Sequence, residues 1–205
     1  MQWCDPVPYA QLETETEILP ESFFARPTEE VARELLGKVL VHRRMAGMIV
    51  EVEAYLGEQD LAAHASRGLT PRTRVLFGPP GRAYVYFVYG MHECLNIVAE
   101  PDGVPGCVLI RALEPLTGIA QMHQRRPAAR SLYELTSGPG RLTAALGITR
   151  RLYGANLTQP GPFTVRRWLR APPFQITSSA RIGIRHCKDW PLRFFIAGNR
   201  FVSRP

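Results

Sequence analysis

The strongest constraint in this chain is an alternation. Between Met48 and Tyr55, the apolar residues Val50, Val52 and Ala54 interleave with Glu51, Glu53 and Tyr55. Successive side chains of an extended strand point to opposite faces, so the three aliphatic residues anchor one face while two carboxylates and an aromatic ring share the other. A helix would scatter both sets around its circumference, so the pattern demands a sheet. On its own letters the segment describes a half-buried strand with a solvated acidic face. It becomes a candidate site only if other elements bring partners to its acids.

Those elements can be read in order. Residues 1–22 mix prolines and acids without a period and are expected to form a poorly ordered lead-in, leaving 23–205 as one domain. Pro27-Thr28-Glu29-Glu30 opens a helix that Gly37 closes. Val39 to His42 predicts a strand, joined by a turn at Arg44 to Gly47 to the acidic strand. The stretch from Leu56 to Gly81 is long, punctuated by Gly and Pro, and carries His64, Arg67, Arg72 and Arg74. A loop of that length in a compact domain is more often functional than filler, although a single histidine is usually structural.

Ala83 to Tyr89 is an aromatic strand, and Gly90-Met91 turns it into a second strand through Cys94 to Val98. Tyr84 and Tyr86 share a face, whereas Tyr89 points the other way at the hairpin tip. Cys107 to Leu113 is a further strand, interrupted by Arg111. A guanidinium in an apolar strand needs a carboxylate, and Glu53 or Glu51 is the candidate. Helices are expected over Leu116 to Arg126, Ser131 to Leu135 and from Ser137 to Gly147. The last opens on Ser137-Gly138-Pro139-Gly140-Arg141, a start that suits a phosphate as readily as an ordinary cap. Phe163 to Leu169 and Arg193 to Ile196 predict strands, with an apolar-basic segment containing Arg181, Ile182 and His186 between them; His186 is taken as structural. The fold class is mixed α/β (α+β): a single domain with a curved, largely antiparallel sheet, flanking helices and a protruding β-hairpin.

Composition narrows the function classes. The chain has 205 residues, 45% of them hydrophobic, enough for a real core and without a run of about 18 apolar residues to span a membrane. Its N-terminus carries acids where a signal peptide needs bases, so a cytosolic protein is expected. The four cysteines form no CxxC pair and no metal-ligand spacing, so neither a metal nor a disulfide framework is expected. The net charge is +7, and 23 of the 25 basic residues are arginine. Arginine's planar fork holds phosphate bidentately, which favours a polyanionic partner.

Together these motifs resemble the alkyladenine (3-methyladenine) DNA glycosylases, the mammalian-type enzymes that also occur in bacteria. The resemblance runs from about Phe23 to Val202. It rests on Glu51-Val52-Glu53-Ala54-Tyr55-Leu56-Gly57, Ala62-Ala63-His64, Thr70-Pro71-Arg72, Tyr84 to Met91, Asn96, Arg111-Ala112-Leu113-Glu114-Pro115, Ser137-Gly138-Pro139 and Arg181-Ile182-Gly183. It implies a fold similar to the C-terminal domain of methionyl-tRNA formyltransferase and a monomeric bacterial enzyme of the cytosol and nucleoid. Its substrate would be duplex DNA carrying 3-methyladenine, hypoxanthine or ethenoadenine, and no cofactor would be needed.

By the resemblance, Glu53 is the general base that activates water, Arg111 holds that carboxylate and the water, and the Ile182 backbone carbonyl is the water's other support. Tyr55, His64 and Tyr86 enclose the flipped base, and Asn96 at the floor rejects guanine. Tyr89 and Met91 enter the duplex, while Arg72, Leu76, Arg141 and Gly138 meet the DNA backbone. The chain departs from the family at Thr73, often asparagine, at Leu76, often methionine, and at Arg141, where a lysine is expected. Lys38 and Lys188, the only lysines, lie outside every motif, so no amine is placed for a lyase step. Two rivals remain: a nucleic-acid module whose tyrosines stack on bases, and a carbohydrate-active enzyme using Glu51 and Glu53 as a pair.

Overall fold

The computed structural model describes residues 3–88 and 90–203. Six helices, α1 (Tyr9–Thr14), α2 (Glu21–Phe24), α3 (Thr28–Leu35), α4 (Ile119–Arg125), α5 (Leu132–Thr136) and α6 (Pro139–Leu146), accompany nine strands among the described residues. The strands are β1 (Thr16–Ile18), β2 (Val39–His42), β3 (Met45–Tyr55), β4 (Ala83–Val88), β5 (His92–Val98), β6 (Cys107–Thr117), β7 (Phe163–Trp168), β8 (Ile176–Ser179) and β9 (Arg193–Ile196). They form one open sheet in the order β1-β7-β2-β3-β6-β5-β4, with β9 paired to β3 and β8 to β9. Every strand pairing is antiparallel. The expected fold class is therefore observed: a mixed α/β single domain with a large antiparallel sheet.

The acidic strand is the middle of this sheet. On one edge β3 pairs with β6 from Ala46↔Thr117 to Tyr55↔Cys107. On the other it pairs first with β2, then with β9 over Glu51 to Glu53. Register shifts between Ile49 and Val52 put the β3–β6 irregularity at the acids themselves. A bulge of this kind bends the strand and re-aims side chains, which is why bulges recur beside active sites. Val50, Val52 and Ala54 are fully buried in the main core, as alternation predicts. Glu51 and Glu53 are fully buried too, so the solvated acidic face that the pentapeptide describes does not exist. Covering the second face is a tertiary event that no local pattern encodes.

Two boundaries differ from the sequence reading. The helix expected from Leu116 begins at Ile119, because Leu116 and Thr117 continue the β6 ladder against the start of β3. Gly118 makes the break: it has φ +76°, and a Cβ there would meet the Arg44 carbonyl at 2.7 Å. The turn expected at Arg44 to Gly47 is tighter, with β3 already under way at Met45.

The lead-in is corrected over 3–22. This segment forms α1 and β1, β1 pairs with β7, and Leu12 and Leu19 are each 1% exposed in the main core. Asp5 accepts hydrogen bonds from the Ile119 amide (2.9 Å) and the Thr117 hydroxyl (3.1 Å), capping the start of α4. Short sequence periods hid these tertiary anchors. Deleting Leu12 atoms in such a core leaves a cavity, so Leu12→Ala is expected to lower the unfolding free energy by about 2–5 kcal/mol in denaturant titration. A loss below about 0.5 kcal/mol would mean that the segment is not docked.

Candidate active site

The site is assembled by β3, β6, the hairpin β4–β5, the loop 56–82 and the loop after β8. Arg111, on β6 beside β3, is the link between the acids. Its Nε donates to Glu51 Oε1 at 3.0 Å and its Nη1 reaches Glu53 Oε1 at 3.1 Å. Both carboxylates left open as its partner are thus engaged at once.

They play different parts. Glu51 also accepts from Arg193 Nε (2.8 Å), the Ser203 amide (2.6 Å) and the Ser203 hydroxyl (3.0 Å). Burial alone would raise its pKa, but Arg111, the Ser203 donors and Arg193 outweigh it and hold the carboxyl below its usual value. Glu51 does not line the cleft described below, whereas Glu53 does. A carbohydrate-active pair would need both acids to face one substrate, so that rival loses its geometry.

Glu53 Oε1 accepts the Ile182 amide at 2.7 Å, and Oε2 accepts the Tyr55 hydroxyl at 2.9 Å. Burial, then the neighbouring Glu53 charge, push the Tyr55 phenol well above its ordinary pKa, so it remains a donor. Oε1 is therefore occupied by two donors, while Oε2 has the spare acceptor capacity. The arrangement can take a proton at Oε2 from a molecule in the cleft. At Ile182 it is the amide that meets Glu53; the carbonyl, which the resemblance assigns to the water, is a separate group.

Glu53 lies against a cleft of about 400 Å³ whose lining includes Tyr55, His64, Tyr84, Tyr86, Asn96 and Arg72. The 3-10 turn His64–Arg67 presents His64, whose Nδ1 is 2.8 Å from the Tyr84 hydroxyl and whose ring meets Tyr86 edge-on at 4.6 Å. Burial first, then the Arg72 and Arg67 charges, lower the His64 pKa to about 4, so the ring is neutral near pH 7. Asn96, 2% exposed, donates from Nδ2 to the Tyr84 carbonyl at 3.2 Å, which fixes its amide at the cleft floor. The Cys107 thiol approaches Asn96 Oδ1 at 3.8 Å. Arg72 sits at the rim with its guanidinium 5.3 Å from the Tyr86 ring centre.

The remaining expected positions divide. Met91 is 68% exposed at the end of the β4–β5 hairpin, and Tyr89 lies outside the described residues. Gly138 has φ +143° before α6, and Arg141 is exposed with its guanidinium 3.3 Å from the Ser137 hydroxyl. Leu76 is a correction: it is 1% exposed and packs with Ala65, Tyr84, Val98 and Cys107, so it supports the cleft from behind and is not open to DNA. Thr73, the unexplained departure, is 3% exposed; its hydroxyl donates to the Gly68 carbonyl (2.9 Å) and accepts the Thr70 amide (2.9 Å), closing this loop on itself.

Sequence reasoning missed several participants. Arg193 and Ser203 stood in the chain as ordinary late residues, and Asp60 as an ordinary loop acid. Asp60 and Arg181 form a buried ion pair, with Nη2 donating to Oδ1 at 2.8 Å. Arg181 could have been found by the argument used for Arg111, since Ile182 beside it was already singled out. His186, set aside as structural, is an exposed residue at the cleft margin.

A family model described as methylpurine-DNA glycosylase matches residues 22–200. A protein of Methanoculleus marisnigri named "Putative 3-methyladenine DNA glycosylase" is 50% identical over 192 residues, covering 91% of this chain and 98% of its own. Relatives of the same name from Burkholderia cenocepacia, at 49% over 188 residues (91% of each chain), and Myxococcus xanthus, at 45% over 193 residues (91% of this chain and 93% of its own), match almost as fully.

The depressed His64 pKa has a thermodynamic consequence. The unfolded chain takes up a proton near pH 6.5, whereas the folded ring refuses it until about pH 4. Its contribution is constant above pH 6.5, and stability falls as pH drops from 6.5 toward 4. NMR titration should find His64 neutral to about pH 4, and His64→Gln should flatten the fall in Tm over that window. A ring titrating near 6.5 would contradict the buried environment.

Proposed function

The chain belongs to the methylpurine-DNA glycosylase family, DNA glycosylases and hence hydrolases of base-excision repair; from that premise we propose that it releases 3-methyladenine, hypoxanthine and ethenoadenine from duplex DNA by hydrolysis alone. The observation that carries this reading is a buried carboxylate, Glu53, oriented by Arg111 and the Ile182 amide at the wall of an aromatic cleft.

A damaged purine is stacked inside the duplex, so its glycosidic bond is reached only after the nucleotide is flipped out. Met91 and Tyr89 are assigned to the gap left behind, where an apolar or aromatic wedge offsets part of the unstacking cost. Arg72, Arg141 and the Gly138 backbone are assigned to phosphates, in keeping with the arginine-rich charge. The flipped base lies between Tyr55 and His64, with Tyr86 along its edge. Neutral, electron-rich rings suit an alkylated purine that carries positive charge, and a protonated histidine there would repel it.

Glu53 Oε2 takes the proton of a water attacking C1′, and its charge steadies the oxocarbenium-like transition state, as in an inverting glycosidase. Arg111 holds the carboxylate in place. Asn96 meets the exocyclic amine of guanine unfavourably, so normal guanine is rejected by a clash rather than by a weaker reward. The enzyme acts as a monomer in the cytosol.

Single-turnover excision on duplexes carrying each lesion tests the substrate range. Glu53→Gln is expected to retain lesion binding while excision falls on the order of a hundredfold or more, the usual weight of a general base. Near-wild-type excision would remove Glu53 from that role. Because catalysis here uses water and no amine, borohydride should trap no enzyme–DNA adduct; efficient trapping would refute the purely hydrolytic mechanism.

A further inference from the structure

Tyr55 lines the cleft and Arg181 does not, yet the Arg181 guanidinium lies over the Tyr55 ring, its Cζ 4.6 Å from the ring centre. The Arg181 and Asp60 side chains have no solvent exposure, and neither residue lines the cleft. Arg181 Nη1 donates to the Ala54 carbonyl at 2.9 Å and also reaches Asp60 Oδ2; Nη2 donates to Asp60 Oδ1 at 2.8 Å. Asp60 in turn accepts the amides of Leu56 (3.2 Å) and Ala62 (3.1 Å), so it is rigidly placed on the loop that leads to His64.

We propose that Asp60 is a specificity-determining residue: by neutralising Arg181 behind Tyr55, it allows the cleft to accept purines that carry a positive charge. The inference rests on the reading of the cleft as a damaged-purine pocket. A fixed cation beneath an aromatic ring draws on the same π system that must attract a cationic base from above. With Asp60 in place the buried pair is net neutral, and the ring keeps its attraction. Without it, an uncompensated charge would lie about 8 Å from a stacked base, close enough to weaken binding of a unit cation by roughly tenfold to thirtyfold at the effective dielectric of a protein site, while a neutral base is little affected.

Lesion charge separates this role from a merely structural one. Arg181 also lies within electrostatic reach of Glu53, so losing Asp60 perturbs the chemistry of every lesion alike. Only the ratio of cationic to neutral substrates isolates the effect on stacking. The probes are 3-methyladenine in methylated DNA, a cationic nucleotide, and hypoxanthine in a duplex, a neutral one.

In Asp60→Asn, the ratio of kcat/KM for 3-methyladenine to that for hypoxanthine is expected to fall at least tenfold, mainly through KM. The double variant Asp60→Asn/Arg181→Met removes both charges and should bring the ratio back to within about threefold of wild type. Equal loss on both lesions in Asp60→Asn, or no recovery in the double variant, overturns the proposal and leaves the glycosylase reading standing. If the single variant does not fold, the double variant decides: a tenfold departure of its ratio from wild type refutes the role, and a wild-type ratio supports it. A wild-type enzyme that excises neither lesion refutes the purine-pocket reading itself and this inference with it.

Discussion

The structure depends on how Arg111 is paired. A guanidinium in the middle of a sheet is tolerable only if carboxylates meet it, and Glu51 and Glu53 do so from the neighbouring strand. The two acids could not be buried side by side without it. Glu51 is secured further by Arg193 and by Ser203 near the C-terminus. The result is a matched group in which Glu51 is spent on holding the arginines, and Glu53 is left lining the cleft. Removing one member of such a group typically costs about 3–5 kcal/mol, so the chemistry and the stability of the sheet are bound to the same contacts.

The long loop after β3 becomes a wall of the cleft through a few fixed points. Gly57 has φ +83° and passes so near the Pro105 carbonyl that a Cβ would come within 2.2 Å of it. Asp60 anchors the chain to Arg181, and Thr73 closes the turn before the last 3-10 segment. His64 is presented between these points, locked by Tyr84 and stripped of its proton by burial and by Arg72 and Arg67. The aromatic walls and His64 thus stay uncharged while Glu53 lines the cleft and arginines gather at its rim, an arrangement that favours π contact with a cation inside and phosphate outside.

Much of this was legible from the letters alone. Strand alternation identified β3, β4 and β6, the demand of Arg111 for a carboxylate was a local argument, and the sharing of a face by Tyr84 and Tyr86 followed from period two. Other features were not legible, for identifiable reasons. Leu76 looked like a surface contact because burial depends on what packs over a short helical turn. Leu116 and Thr117 looked helical because strand pairing overrides propensity. Leu12 and Leu19 lay in a segment too short to show a period, and only β7 and the core give them a place.

By itself the sequence determined the central strands, the acid-aromatic face, the arginine-rich charge and the resemblance to a glycosylase family, because these reside in residue order and side-chain chemistry. Only the tertiary structure decided which acid faces the cleft, that both acids are buried, and that Arg181, paired with Asp60, stands behind Tyr55. Those outcomes turn on a bulge in β3, on the pairing of β9 with its edge, and on contacts between residues more than a hundred positions apart. A sequence specifies such contacts collectively, through packing and charge compensation, and no single motif contains them.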